Sequence, residues 1–103
     1  MKATEFKALR EHIGYSTVDL AKEWGLSSPK IIIAWSNGKE PIPPKRATQL
    51  RQMVNEFNLA KQRLARTHGH TYIIPNDDKP ASWHRALAIN AKKTPTTPLE
   101  LPT

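Results

Sequence analysis

A mainly α fold is predicted by three observations in the 103-residue sequence. Apolar residues recur at three- and four-residue spacing through most of the chain, the signature of helices with one buried stripe. Gly, Pro and Ser stand where those stripes stop and start. Only His70–Ile74 has the character of a strand. The expected architecture is a helical bundle over residues 1–66 that includes a long fourth helix. A small strand-plus-helix dimerisation region over 67–92 and a disordered tail over 93–103 are expected to follow.

The first helix is expected from Thr4 to His12 or Ile13, because Phe6, Leu9 and Ile13 form one apolar stripe and Gly14 stops it. Lys7 and Arg10 lie off the stripe and read as a solvated face. The second helix starts at Ser16, which can form a capping box with Asp19. Leu20, Ala21 and Trp24 face inward, and Gly25 suits a left-handed C-terminal cap. After the turn Leu26-Ser27-Ser28, Pro29 fits the first position of a third helix, with Ser28 as its N-cap. A helix from Pro29 to Ser36 puts Ser28, Ile31, Ile32 and Trp35 on the inner side. Lys30, Ile33, Ala34 and Asn37 then fall on the outer side. Asn37-Gly38 ends it.

The long helix begins near Pro44 and carries Ala47, Leu50, Val54, Phe57, Lys61 and Leu64 at helical spacing, with His68-Gly69 as its end. Its first half can close the bundle core. Its second half, Asn58–Arg66, is expected to project outward or to meet another chain. The strand at His70–Ile74 ends at Pro75 and the turn Asn76-Asp77-Asp78. A single strand leaves backbone groups unpaired, so its simplest partner is the same strand of a second copy. A last helix over Pro80–Ala91 carries Trp83 and Leu87 on one side. Tyr72, Ile73, Ile74, Trp83 and Leu87 are therefore the candidate dimerisation residues. The closing Thr- and Pro-rich stretch reads as disordered.

Composition narrows the function classes. Sixteen Lys and Arg against nine Asp and Glu give a net charge of +7, which suggests a polyanionic partner. The surplus is uneven. Residues 1–66 hold twelve basic and six acidic side chains, whereas residues 67–103 hold four and three. Cysteine is absent, which excludes disulfides and thiolate metal sites and suits a reducing cytoplasm. The charged opening, Met1–His12, is not expected to be a signal peptide, and no apolar run is long enough to span a bilayer.

The stretch from Ala8 to Pro43 resembles the Cro/CI-type (lambda-repressor-like, XRE) helix-turn-helix domains. The resemblance rests on Ala8-Leu9-Arg10, Ser16, Leu20-Ala21, Gly25, Leu26-Ser27, Ile32 with Trp35, Asn37-Gly38 and Ile42-Pro43, and it covers about residues 4–57. This sequence has a turn one residue longer than the usual pattern, Thr17 in place of the usual Gln, and Ser36 in place of the Glu that commonly follows the Trp. More weakly, the order of Trp35-Ser36-Asn37-Gly38-Lys39, Ile42-Pro43, Tyr72–Pro75 and Trp83 is similar to the YdiL-like regulators, which include anti-CRISPR-associated autorepressors. The first resemblance implies DNA binding. The second implies a C-terminal dimerisation region and repression of a neighbouring or own operon.

The expected partner is double-stranded DNA, bound by a homodimer with the third helix in the major groove. Lys30, Ile33, Ala34 and Asn37 are the candidate base contacts. Lys30 can donate to guanine, and Ile33 and Ala34 can pack on thymine methyls. Thr17, Ser27, Ser28, Lys39, Lys45 and Arg46 are the candidate phosphate contacts. An antitoxin whose C-terminal part binds a protein partner is the alternative, and RNA binding is a third reading. His68, His70 and His84 are the nearest approach to a metal set, but no Cys or carboxylate completes their spacing, and no metal or cofactor is expected. His84 and Arg85 read as surface residues. No catalytic residues are expected, since no Gly-rich phosphate loop or nucleophile setting is present.

Overall fold

The computed structural model describes residues 1–97. It is mainly helical, in the order α1 (Ala3–His12), α2 (Thr17–Glu23), α3 (Lys30–Ser36), α4 (Pro44–Ala65), β1 (Thr71–Ile73), α5 (Ala81–Asn90) and β2 (Thr94–Thr96). No described helix is long and apolar enough to cross a membrane.

The helix limits have local causes. The Asp19 backbone N–H donates to Ser16 Oγ at 3.0 Å and the Ser16 N–H donates to Asp19 Oδ2 at 3.4 Å, which closes the expected capping box on α2. At the other end of α2 the chain turns left-handed at Gly25, with φ +67. The Leu26 N–H then reaches back to the Ala21 carbonyl at 2.8 Å, as in a Schellman motif. α3 starts at Lys30, one residue later than expected, with Pro29 rather than Ser28 at its N-cap position and no side-chain cap, although the Lys30 N–H donates to Ser28 Oγ at 3.3 Å. α4 opens on Pro44, where a missing N–H costs nothing.

One apolar cluster runs through the molecule. Phe6 of α1 meets Trp24 at 6.4 Å and Trp35 at 6.0 Å between ring centroids, the latter edge to face. Ile13, Leu20, Ile32, Leu50 and Phe57 are fully enclosed around them. Each such side chain contributes about 1.5–3 kcal/mol by leaving water. The cluster continues into the C-terminal region, because Phe57 of α4 packs edge to face on Trp83 of α5 at 5.6 Å. α4 has 22 residues, roughly 33 Å, and serves as a spine for both regions.

Several expectations are corrected here. The second half of α4 does not stand free, since α5 of the same chain covers it through Trp83 and Leu87. β1 has a partner within its own chain. Residues expected to be disordered form β2, which pairs parallel to β1 with Tyr72 opposite Pro95. The Thr94 N–H donates to the His70 carbonyl and the Ile74 N–H to the Thr96 carbonyl, so Pro95, with no N–H, faces away from β1. α5 is the crossover that a parallel pair requires. The rest of the expected tail, residues 98–103, lies outside the described residues.

Arg10 is also not a solvated side chain. It is buried, and its Nη1 donates to the Tyr15 carbonyl at 2.8 Å, tying the end of α1 to the turn that follows. Ile31, expected inside, is 36 % exposed, while Ile32 and Trp35 are buried. A seven-residue helix has room for one narrow inner stripe, and Ile32 and Trp35 occupy it.

Candidate functional site

α3 is held from behind and open in front. Ile32 and Trp35 fix its inner face in the core, and its C-terminal carbonyls are closed by the Lys39 N–H, which bonds the Ala34 carbonyl at 2.9 Å. Ser36 Oγ bonds back to the Ile32 carbonyl at 2.8 Å. The outer side presents Lys30, Ile33 and Asn37, all exposed, with Ala34 half-buried between them. Ile33 is 42 % exposed. Ile31 joins this side, and Val18 on the neighbouring α2 is exposed as well. No acidic residue lies within α3.

The other basic and hydroxyl candidates divide into two groups. Ser27, Lys39 and Lys45 are exposed, and Thr17 and Ser28 are half-buried at the starts of α2 and α3. Arg46, expected as a phosphate contact, is engaged within the chain. Its guanidinium lies 5.0 Å over the Trp24 ring and its Nη1 donates to Gln49 Oε1 at 3.0 Å. Both contacts fix the side chain against the bundle.

The five candidate dimerisation residues are not one exposed patch. Ile74, Trp83 and Leu87 are buried within the chain. Trp83 and Leu87 belong to the apolar cluster shared with α4, so little of their surface is open in the single chain. Tyr72 is half-buried, and its hydroxyl meets His84 Nδ1 at 2.8 Å. Ile73 alone is open, at 50 % exposure.

The sequence reading missed a buried polar relay. His84, expected at the surface, is 2 % exposed and sits between two partners. Its Nε2 lies 2.9 Å from Asp77 Oδ1. With the ionised Asp77 accepting from Nε2–H, Nδ1 accepts from the Tyr72 hydroxyl. The His84 hydrogen bond holds the Asp77 carboxyl below its ordinary value. Burial, reinforced by the Asp77 charge, pushes the Tyr72 phenol upward. A raised phenol is a poor nucleophile, so the relay fits the role of fixing the 75–80 loop onto α5. Nothing in the spacing of Tyr72, Asp77 and His84 marks it, because the three residues stand on a strand, a loop and a helix. His68 and His70 are exposed, and among the described residues no group of His, Cys, Asp or Glu could hold a metal ion.

Comparison with protein families, curated proteins and solved structures returned no match.

Proposed function

We propose that the chain is a sequence-specific DNA-binding repressor that works as a homodimer, with α2 and α3 as a helix-turn-helix of the lambda-repressor-like kind. The observation that carries this reading is the outer side of α3. Lys30, Ile33 and Asn37 stand exposed on a helix whose opposite side is anchored by Ile32 and Trp35. A rigidly backed helix of this size fits the major groove of B-DNA. Lys30 would donate to guanine, Ile33 and Ala34 would pack on thymine methyls, and Asn37 would reach a base or phosphate at the far end. Ile31 is exposed beside them and adds to the apolar part of that surface.

Thr17, Ser27, Ser28, Lys39 and Lys45 flank α3 and would bond phosphates, which positions the helix without reading sequence. Arg46 acts in this reading as a packing residue on Trp24. The charge surplus within residues 1–66 favours an anionic partner for this part of the chain.

Dimerisation would use the outer edge of β1. Its neighbour β2 covers one edge, and Ile73 stands exposed. A twofold pairing there would present two copies of α3 to half-sites about one DNA turn apart, roughly 34 Å. Selection of binding sites from random duplex DNA tests the proposal. The expected product is an inverted repeat, and recovery of no preferred sequence would refute it.

A further inference from the structure

The outer side of α3 is short of groups that can read a base by hydrogen bonding. Among Lys30, Ile31, Ile33, Ala34 and Asn37, only Lys30 and Asn37 are polar, and they stand at the two ends of the helix. Between them, Ile31 is 36 % exposed and Ile33 is 42 % exposed. With Val18 of α2 they make three of the six large apolar side chains exposed among the described residues, although α2 and α3 have only seven residues each. Single exposed apolar residues are ordinary, but their concentration on two short neighbouring helices marks an interaction surface.

The two isoleucines occupy opposite flanks. Successive helical residues are set about 100° apart, so Ile31 and Ile33 lie about 160° apart across the outer side, with Lys30 and Ala34 between them. Ile32 and Trp35 are buried and hold the helix in this rotation. The major groove is about 12 Å wide, close to the diameter of a helix with its side chains, so a helix lying in it turns one flank toward each strand. The apolar group that base pairs expose there is the C5-methyl of thymine, which projects on the side of its own strand. Charge favours such a partner over an apolar protein surface. Lys30, Lys39 and Lys45 are exposed, none of the three forms an ion pair with a described residue, and α3 holds no acidic residue.

Given the DNA-binding reading of α3, on which this rests, we infer that the helix recognises its site chiefly through pyrimidine C5-methyl groups. Ile33 and Ile31 each pack on one methyl, and the two methyls belong to opposite strands. Lys30 and Asn37 bracket these contacts about 10 Å apart along the helix axis, roughly three base steps. The recognised core is therefore rich in A·T pairs, with thymine on both strands. 5-Methylcytosine carries the same group at the same place, so methylation of a cytosine at either position strengthens binding.

The test uses the full chain and the operator that selection from random duplexes returns. Thymines of one half-site are replaced singly by deoxyuridine, which removes the methyl and leaves base pairing intact, and fluorescence anisotropy measures each affinity. One position on each strand should lose about fourfold, the scale of one buried methyl. Ile33→Ala should remove the penalty at one of these positions and Ile31→Ala at the other. Both side chains are exposed, so both variants should keep the fold. With cytosine placed at either position, the 5-methylated base should bind about fourfold more tightly than the unmethylated one. No loss on uracil substitution, a penalty that persists in either variant, sensitive thymines on one strand only, or equal binding of cytosine and 5-methylcytosine would each overturn methyl reading while leaving DNA binding intact. Recovery of no preferred sequence would overturn both.

Discussion

The carbonyl oxygen of Ser82, at the start of α5, occupies the place where a side chain on Gly14 would begin. Gly14 also has φ +74, so the α1–α2 turn needs glycine for two separate reasons. Gly25 has a similar φ, +67, but nothing lies within 4 Å of its missing side chain. The pair makes a controlled comparison. Gly25→Ala should cost about 1–2 kcal/mol, the penalty of left-handed backbone alone. Gly14→Ala should cost about 2–4 kcal/mol, because the α5 backbone must also move away. Urea denaturation of both variants measures the difference. Equal losses would mean that α5 does not rest on the α1–α2 turn.

Acid stability should depend on Asp77. His84 holds the Asp77 carboxyl below its ordinary value by hydrogen bonding. A lowered carboxyl contributes stability above its unfolded value, about 3.9, and that contribution is lost as pH falls through the folded value. Urea midpoints of the wild-type chain should therefore begin to drop below about pH 4. Asp77→Asn should be less stable at neutral pH, and its deficit should shrink toward about pH 2 as the wild-type carboxyl protonates. A deficit that stays constant with pH would show that Asp77 contributes nothing through its charge.

The parts of the fold that were legible in the sequence are those with local causes. Ser16 and Asp19 announce the start of α2 because both partners of the box lie within four residues. Ile32 and Trp35 announce the inner side of α3 by spacing alone. Arg10 and His84 were not legible, since burial of a polar side chain depends on partners such as the Tyr15 carbonyl and Asp77. β2 was hidden for a related reason. Thr94-Pro95-Thr96 has neither apolar alternation nor a full set of donors, and it becomes a strand only because α5 returns it beside β1. Hence the exposure of Lys30, Ile33 and Asn37 on α3 followed from the sequence, whereas that of Ile31 and of the C-terminal residues did not.

The end of α5 offers a stabilising change. Lys92 has φ 59, its N–H bonds the Ile89 carbonyl at 3.1 Å, and the Lys93 N–H bonds the Ala88 carbonyl at 2.8 Å. This is a Schellman cap whose left-handed position is filled by Lys where Gly is the usual residue. Lys92→Gly should raise stability by about 1 kcal/mol. For a domain of this size that is roughly 4–8 °C in Tm, read by scanning calorimetry. A lower Tm would mean that the Lys92 side chain makes a contribution larger than its backbone penalty.

Self-association should be sensitive to Ile73 and insensitive to the neighbouring helix surface. Ile73 is exposed on β1, whereas Tyr72 is engaged by His84 and a change there would disturb the fold itself. Ile73→Asp places a charge on the free edge at little cost to the monomer. Sedimentation should show a dimer for the wild-type chain and a monomer for this variant. Ile89→Asp, an exposed change on α5, should leave the dimer intact. Dissociation by Ile89→Asp with no effect of Ile73→Asp would move the interface from β1 to α5.

Lys30 and Lys45 are both exposed, yet the proposed geometry gives them different work. Lys30 opens α3 and would face base edges, while Lys45 lies in the first turn of α4 and would face phosphate. Lys30→Ala should weaken the selected operator by about 1–3 kcal/mol and relax the preference at one base pair. Lys45→Ala should weaken all duplexes alike and reduce the dependence of log K on log salt by about 1. Binding to the operator and to a scrambled duplex at several salt concentrations separates the two effects. If Lys30→Ala behaved like Lys45→Ala, the end of α3 would lie over the backbone. The base-reading residues would then be sought further along the helix, at Ile33, Ala34 and Asn37.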